Sequence, residues 1–253
     1  PECVAGVPPD MFSATGQLWG NPIYDWRKMK EQDFKWWKER IHFSACLYDV
    51  IRIDHFIGIV RYFSIPANSD TAACGKFYKG PGMDLIQAID SACGNAKIIA
   101  EDLGALSPAI RRMVSRSGYP GMKVFQFGVD VGPENEHMPH NYYENMVAYA
   151  GTHDNDTLFS FAMEKRGKTL QFLFDYLRVN RRKDIPWAVI RTLYGSAADT
   201  VMVQMQDFLC LPGKARINTP STVGENWRWR IRDDQITDVL AEKISHLVWL
   251  YYR

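Results

Sequence analysis

Asp49-Val50-Ile51-Arg52-Ile53-Asp54 and, further on, Lys97-Ile98-Ile99-Ala100-Glu101-Asp102 decide the fold. Each is a short, largely apolar run closed by carboxylates, the form of a parallel strand covered on both faces and ending at a polar rim. Working outward, three more runs read as strands: 122–127, 146–154 and 201–207. Amphipathic helical patterns lie around them at 34–47, 83–92, 108–117, 170–178, 187–197 and 234–253. Ser107-Pro108 and Ile185-Pro186 put proline where a helix starts. Alternating strand and helix predicts right-handed βαβ units and a parallel sheet, hence an α/β fold. No GxGxxG follows the first strand, and polar residues close at least four strands. Both features favour a (β/α)8 TIM barrel over a Rossmann-like sheet, because the C-terminal strand ends are the active face of a barrel. Five strands are legible where a closed barrel needs eight. A partial barrel, truncated at its N-terminus, is therefore expected, and the chain also opens at Pro1 without an initiator methionine. Residues 1–26 are Gly/Pro-rich with interspersed aromatics and read as a loop segment. Residues 64–82 and 128–144 also read as loops, long enough to face a substrate.

Composition narrows the class. A chain of 253 residues with 46% apolar and 23% charged residues suits a globular protein with a real core. Thirty basic against 29 acidic residues leave a net charge of +1, and no basic stripe argues for nucleic acid or anionic membrane. The longer apolar runs, 146–150 and 247–252, are far too short to span a bilayer. Five cysteines, odd in number and without a CxxC pair, argue against a zinc site and a disulfide framework. A cytoplasmic location is the expectation.

The strand ends carry the candidate chemistry. Alternation places Arg52 and Asp54 on one face with Ile53 on the other. A cation beside a carboxylate favours its charged form, as a nucleophile requires, although an ordinary strand-end salt bridge fits equally. A glutamate such as Glu101, next to an apolar strand, can be desolvated towards general-acid use, while Asp102 could be a helix N-terminal acid. The run Gly151-Thr152-His153-Asp154-Asn155-Asp156-Thr157 is dense polar chemistry for one strand end. A helix cap on Asp156 or Thr157 would explain part of it. A metal site on Asp154 and Asp156 is disfavoured, since the glycine and terminal glutamate of a calcium loop are absent. Three acids, each ending a different barrel strand, would converge on one pocket, and paired carboxylates are what glycosidic bonds need. Trp19, Tyr24, Phe125, Phe127, Trp227 and Trp229 would suit sugar faces, though core packing accounts for most aromatics.

These residues resemble a known family. Arg52 to Phe56, Ala100 to Gly104 and Gly151 to Thr157 are similar to the three catalytic blocks of 4-α-glucanotransferases, also called amylomaltases or disproportionating enzymes. Gly6-Val7-Pro8-Pro9-Asp10 and Gly16-Gln17-Leu18-Trp19-Gly20-Asn21-Pro22 resemble that family's loop over the cleft. Arg216 to Pro220 and Asn226-Trp227-Arg228-Trp229-Arg230 resemble its C-terminal signatures, so the likeness spans nearly the whole chain in order. The resemblance implies retaining transfer of α-1,4-glucan segments between maltooligosaccharides, with no cofactor and no metal. It makes Asp54 the nucleophile, Glu101 the acid/base and Asp154 the group that holds sugar hydroxyls. It makes Arg52 and His153 partners at the same sugar, and Trp19, Gln17 and Asn218 further substrate-binding residues. A retaining mechanism sets the Asp54 and Glu101 carboxyls roughly 5–5.5 Å apart. Family members are considerably longer, which agrees with the strand count and implies weak activity of this chain alone. An α-glucan hydrolase and a non-catalytic glucan-binding fragment are the competing readings.

Overall fold

The computed structural model describes residues 2–9, 13–104, 107–220 and 222–253. Pro1, and Asp10 at the end of the Gly6 block, lie outside the described residues. The chain forms two compact units, Pro1–Gly121 and Met122–Arg253.

The first unit begins where a loop was expected. Strands β1 (Cys3–Val7) and β2 (Gln17–Pro22) precede helices α1 (Trp26–Glu31) and α2 (Lys35–Leu47). Next come β3 (Val50–Ile53), β4 (Arg61–Pro66), β5 (Lys76–Lys79), α3 (Met83–Ala92), β6 (Lys97–Ala100) and α4 (Pro108–Ser117). Strands β3 and β6 pair in parallel, Val50 with Lys97 through Ile53 with Ala100, as the strand-helix alternation predicts. Ile98, Ile99 and Ala100 are all buried, which is why β6 reads as a continuous apolar run instead of an alternating one. Helix α3 covers this pair with Leu85, Ile86 and Ile89, one stripe at helical spacing. Each such side chain fully buried contributes about 1.5–3 kcal/mol. Helix α4 keeps its expected bounds. The Ser107 hydroxyl accepts from Ile110 N, Pro108 needs no partner for its nitrogen, and Gly118 ends the helix at φ +71°.

The departure lies in residues 1–26 and 64–82. Instead of loops, they contribute to an antiparallel sheet of order β2-β1-β4-β5. Among the described residues, its hydrophobic cluster consists of Val4, Phe63, Ile65 and Ala72. Glycine replaces apolar side chains along it, at Gly6 on β1 and Gly75 just before β5. A Cβ on Gly6 would lie 2.1 Å from Gln17 O, so the close pairing of β1 with β2 requires glycine there. Strands with so small an apolar payload give no alternation to read.

From its second residue on, β7 (Gly121–Val124) belongs to the second unit, which also carries α5 (Phe125–Gly128), β8 (Met146–Tyr149), α6 (Leu158–Glu164) and α7 (Gly167–Leu177). It continues with α8 (Ile185–Tyr194), β9 (Thr200–Met202), α9 (Met205–Phe208) and α10 (Asp238–Tyr251). Its sheet has the order β7-β8-β9, with β8 and β9 parallel. Met146, Ala148, Leu158, Leu173, Val189 and Leu193 are among its core side chains. Three expected strands stop early, the run 146–154 ending at Tyr149. The run 122–127 turns helical at Phe125 and the run 201–207 at Met205, because a buried apolar run keeps no period that separates strand from short helix. Helix α6 was not foreseen as a helix, but its cap was: the Thr157 hydroxyl accepts from Ser160 N at 3.3 Å. Among the described residues, no helix is long and apolar enough to cross a membrane.

Candidate active site

In the first unit the site grows from the β3–β6 pairing. Ile53 lies opposite Ala100, so Asp54 and Glu101 follow as neighbours on adjacent strands, which run about 4.8 Å apart. The ladder continues past them: Glu101 N donates to Ile53 O at 3.0 Å and Phe56 N to Glu101 O at 2.9 Å. Arg52 Nη2 donates to Asp54 Oδ1 at 2.6 Å, as the shared face of alternate strand residues predicts. The Asp54 side chain keeps 74% of its exposure. A pair that open adds only about 0–1 kcal/mol to stability, so folding alone gives little reason for it.

Glu101 is the opposite case. It is buried, and its carboxyl accepts from two backbone amides, His55 N at 2.7 Å and Leu103 N at 2.8 Å. Burial nevertheless prevails and pushes its pKa up to about 7, against those amide bonds. Nearby Asp54 raises it further, while Arg52 lowers it. Side by side stand an exposed carboxylate hydrogen-bonded to a guanidinium and a buried acid that is half protonated near neutrality. Asp102 does not cap α4; Ser107 does.

His55 received no role from sequence. Its backbone sits at φ +46°, which turns the chain so that its N–H meets Glu101 and its ring meets Trp19 edge-on at 4.8 Å. Burial lowers the pKa of that imidazole, outweighing Asp54. Trp19 and Gln17 lie on one face of β2, and Trp19 Nε1 donates to Gln17 Oε1 at 3.1 Å. A carboxylate next to the histidine was the available signal; the left-handed turn was not legible.

In the second unit Asp154 is clamped from both sides. Asn218 Nδ2 donates to its Oδ1 at 2.6 Å, and His153 Nε2 lies 3.3 Å from its Oδ2. Asn218 N donates to His153 O at 3.1 Å, so one residue fixes both members of the pair. Arg216 binds the carbonyls of Asp154 and Asn218, and the Trp227 ring lies 5.2 Å from that of His153. Asp156 turns elsewhere, accepting from Thr157 N.

Beneath this clamp, α9 and the residue before it supply polar groups that sequence reading took for the end of a strand, half-buried Gln204 and buried Gln206 and Asp207. Gln204 Nε2 donates to Gly151 O and Thr152 O, and Gln206 Nε2 to Ala215 O. Asp207 Oδ1 accepts from Leu158 N, holding the start of α6. Gln204 and Asp207 thus tie down the segments on either side of Asp154, and Gln206 the residue before Arg216. Gln204→Leu is expected to leave Gly151 O without the side-chain donor it has here, Thr152 O keeping Asn155 N, and to cost about 1–3 kcal/mol. Urea unfolding of the variant checks this; an unchanged midpoint would remove Gln204 from the support of the loop.

A guanidinium-paired carboxylate next to a desolvated acid, on neighbouring strand ends, has the form of the carboxylate pair that glycosidic-bond chemistry uses. The chain belongs to the 4-alpha-glucanotransferase family: a family profile of that description matches residues 2–237. It is 46% identical over 253 residues to a 4-alpha-glucanotransferase of Clostridium butyricum, covering 99% of this chain and 52% of that one. It is 43% identical to that of Streptococcus pneumoniae, covering 99% of this chain and 50% of the relative. Among solved structures, an amylomaltase from Streptococcus agalactiae, in complex with acarbose, superimposes with a TM-score of 0.95 at 40% identity. That match covers 100% of this chain and 51% of the other. The chain therefore spans about half the length of these relatives.

Proposed function

We propose that this chain carries the catalytic residues of a 4-α-glucanotransferase acting on α-1,4-glucans by retaining double displacement, and that its parallel strands belong to a (β/α)8 barrel. The observation that carries the reading is the contrast between Asp54 and Glu101: neighbouring strand ends, one carboxyl open and charge-paired, one buried with its pKa near 7. Asp54 attacks the anomeric carbon as the nucleophile. Glu101 protonates the departing glycosidic oxygen, then takes the proton from the acceptor hydroxyl. Arg52 holds Asp54 in position by its 2.6 Å hydrogen bond. Trp19 and Gln17 offer an aromatic face and an amide to a sugar. Asp154, held by Asn218 and His153, presents its carboxylate to sugar hydroxyls. The substrates are maltooligosaccharides and longer α-glucans, and no step draws on a metal or organic cofactor. The five unpaired thiols suit a reducing compartment such as the cytoplasm.

The test is incubation of the purified chain with maltotriose, products being separated by chromatography, with Asp54→Asn alongside. Glucose together with a ladder of longer maltooligosaccharides, absent with Asp54→Asn, is the expected result. Shorter sugars without a ladder would replace transfer by hydrolysis, and the same ladder from Asp54→Asn would remove Asp54 from the mechanism.

A further inference from the structure

The face of the antiparallel sheet that carries Trp19 and Gln17 carries more aromatic surface further out. Gln17 pairs with Val7. Gly6 pairs with Phe63, so the next position along the same ladder sets Val7 beside Tyr62. Tyr62 in turn pairs with Tyr78. Residues opposite one another in a sheet project to the same side. Gln17, Val7, Tyr62 and Tyr78 thus form one row across β2, β1, β4 and β5, and Trp19, two residues from Gln17, shares their side. Their neighbours Val4, Phe63 and Ile65 point the other way, into the small buried core of this sheet. The two tyrosine rings lie nearly parallel, centroids 5.9 Å apart and planes 21° from each other. Tyr78 is 50% exposed and Trp19 40% exposed, on the outermost strands of the sheet.

Stability does not explain this side of the sheet. The hydrophobic cluster of the sheet lies wholly on the other side, and β5 is exposed at every position. A large aromatic left half open on an edge strand contributes little burial, and an open edge strand is usually blunted with charge. Here Lys76 and Lys79 flank the pair and serve that purpose, so the tyrosine is not needed for it. A carboxylate acts on Tyr62: after burial and Tyr78, Asp25 is among the groups that push the Tyr62 hydroxyl up. Flat apolar rings with a carboxylate near by and Lys76 on the same side of the sheet offer stacking and hydrogen bonds together, which is what the ring faces and hydroxyl rims of sugars require.

We propose that Trp19, Tyr62 and Tyr78 form a continuous track for an α-glucan chain, running from the Asp54–Glu101 pair outward across the sheet. The inner end is fixed by Trp19 against His55, the residue that follows Asp54 and donates to Glu101. Three strand spacings separate Gln17 from Tyr78, about 14 Å, so the outer end is reached only by a glucan of several residues. This rests on the reading of the site as one for α-1,4-glucans and adds to it a preference for long chains. Asp54→Asn is the background for the test, so that bound sugar is not consumed.

The experiment is affinity electrophoresis of that protein in native gels containing glycogen, with and without Tyr78→Ala, Tyr78→Phe and Tyr62→Phe. Tyr78→Ala is expected to weaken retardation roughly 3- to 10-fold, the scale of one aromatic contact, while both phenylalanine variants keep it. Maltotriose binding by calorimetry is expected to be the same in all four proteins. Retardation unchanged in Tyr78→Ala would overturn the track and leave the glucanotransferase reading standing. A parent protein that neither glycogen nor maltotriose binds would overturn that reading, and the track with it. Loss of maltotriose binding in Tyr78→Ala would show a disturbed inner site and overturn the track as a separate element.

Discussion

Glu101→Gln is expected to lower turnover of maltooligosaccharides by roughly 10²–10⁴-fold, the range supplied by a placed general acid and base. The parent protein should lose activity as pH rises through about 7, because the buried Glu101 gives up its proton there. The same shift governs stability. Glu101 is raised from 4.5 to about 7 on folding, so its favourable contribution is complete below 4.5 and is lost as pH climbs through 7. The full difference is on the order of 3 kcal/mol. Glutamine carries no such charge, though like the protonated acid it can offer only a reduced acceptor set to His55 N and Leu103 N. The parent and Glu101→Gln should therefore unfold at similar urea concentrations near pH 4.5, and the variant should be the more stable of the two at pH 8. Parallel pH profiles for the two proteins would mean that Glu101 titrates as an ordinary carboxyl, and the acid/base assignment would fall. The stability arm holds even if turnover of the chain by itself is slow.

The parts of this site that sequence disclosed are those where chemistry interrupts a pattern. Asp54 and Glu101 close apolar runs, and the parallel register of β3 and β6 then makes them neighbours without further assumption. Arg52 shares a face with Asp54 by alternation alone, and the 2.6 Å contact follows. What could not be read was of two kinds. The antiparallel sheet of β1, β2, β4 and β5 buries so little apolar surface, and leans so much on glycine at Gly6, that its strands look like loops. The supports of Asp154 are two amides and a carboxyl on a short helix and the residue before it, Gln204, Gln206 and Asp207, each bonded to backbone outside that helix. Backbone partners leave no mark on the composition of a segment. Asn218 shows the limit from the other side: family likeness suggested it as a sugar ligand, while the structure adds that it holds Asp154 and His153 in place.

Covalent trapping on Asp54 is the sharper consequence. With α-maltotriosyl fluoride as donor, fluoride leaves without a proton, so the first displacement no longer needs Glu101 as acid. One Asp54 oxygen forms the bond to the anomeric carbon, and the carbon–fluorine bond breaks with its electron pair going to fluoride. The second displacement still needs a base to take the proton of the incoming hydroxyl, and a glutamine in place of Glu101 cannot supply one. Glu101→Gln incubated with this donor is therefore expected to accumulate a glycosyl ester, read as an intact-protein mass increase of one maltotriosyl group. The open position of Asp54, with its side chain 74% exposed, leaves room for the sugar to approach. Peptide mapping should place the added mass on the segment containing Asp54, and the double variant Asp54→Asn with Glu101→Gln should stay unlabelled. An adduct on another carboxylate would move the nucleophile elsewhere. Release of β-configured maltotriose with no adduct would mean that water attacks directly, and with it retention, transfer and the role of Arg52 as the partner of a nucleophile would all be lost.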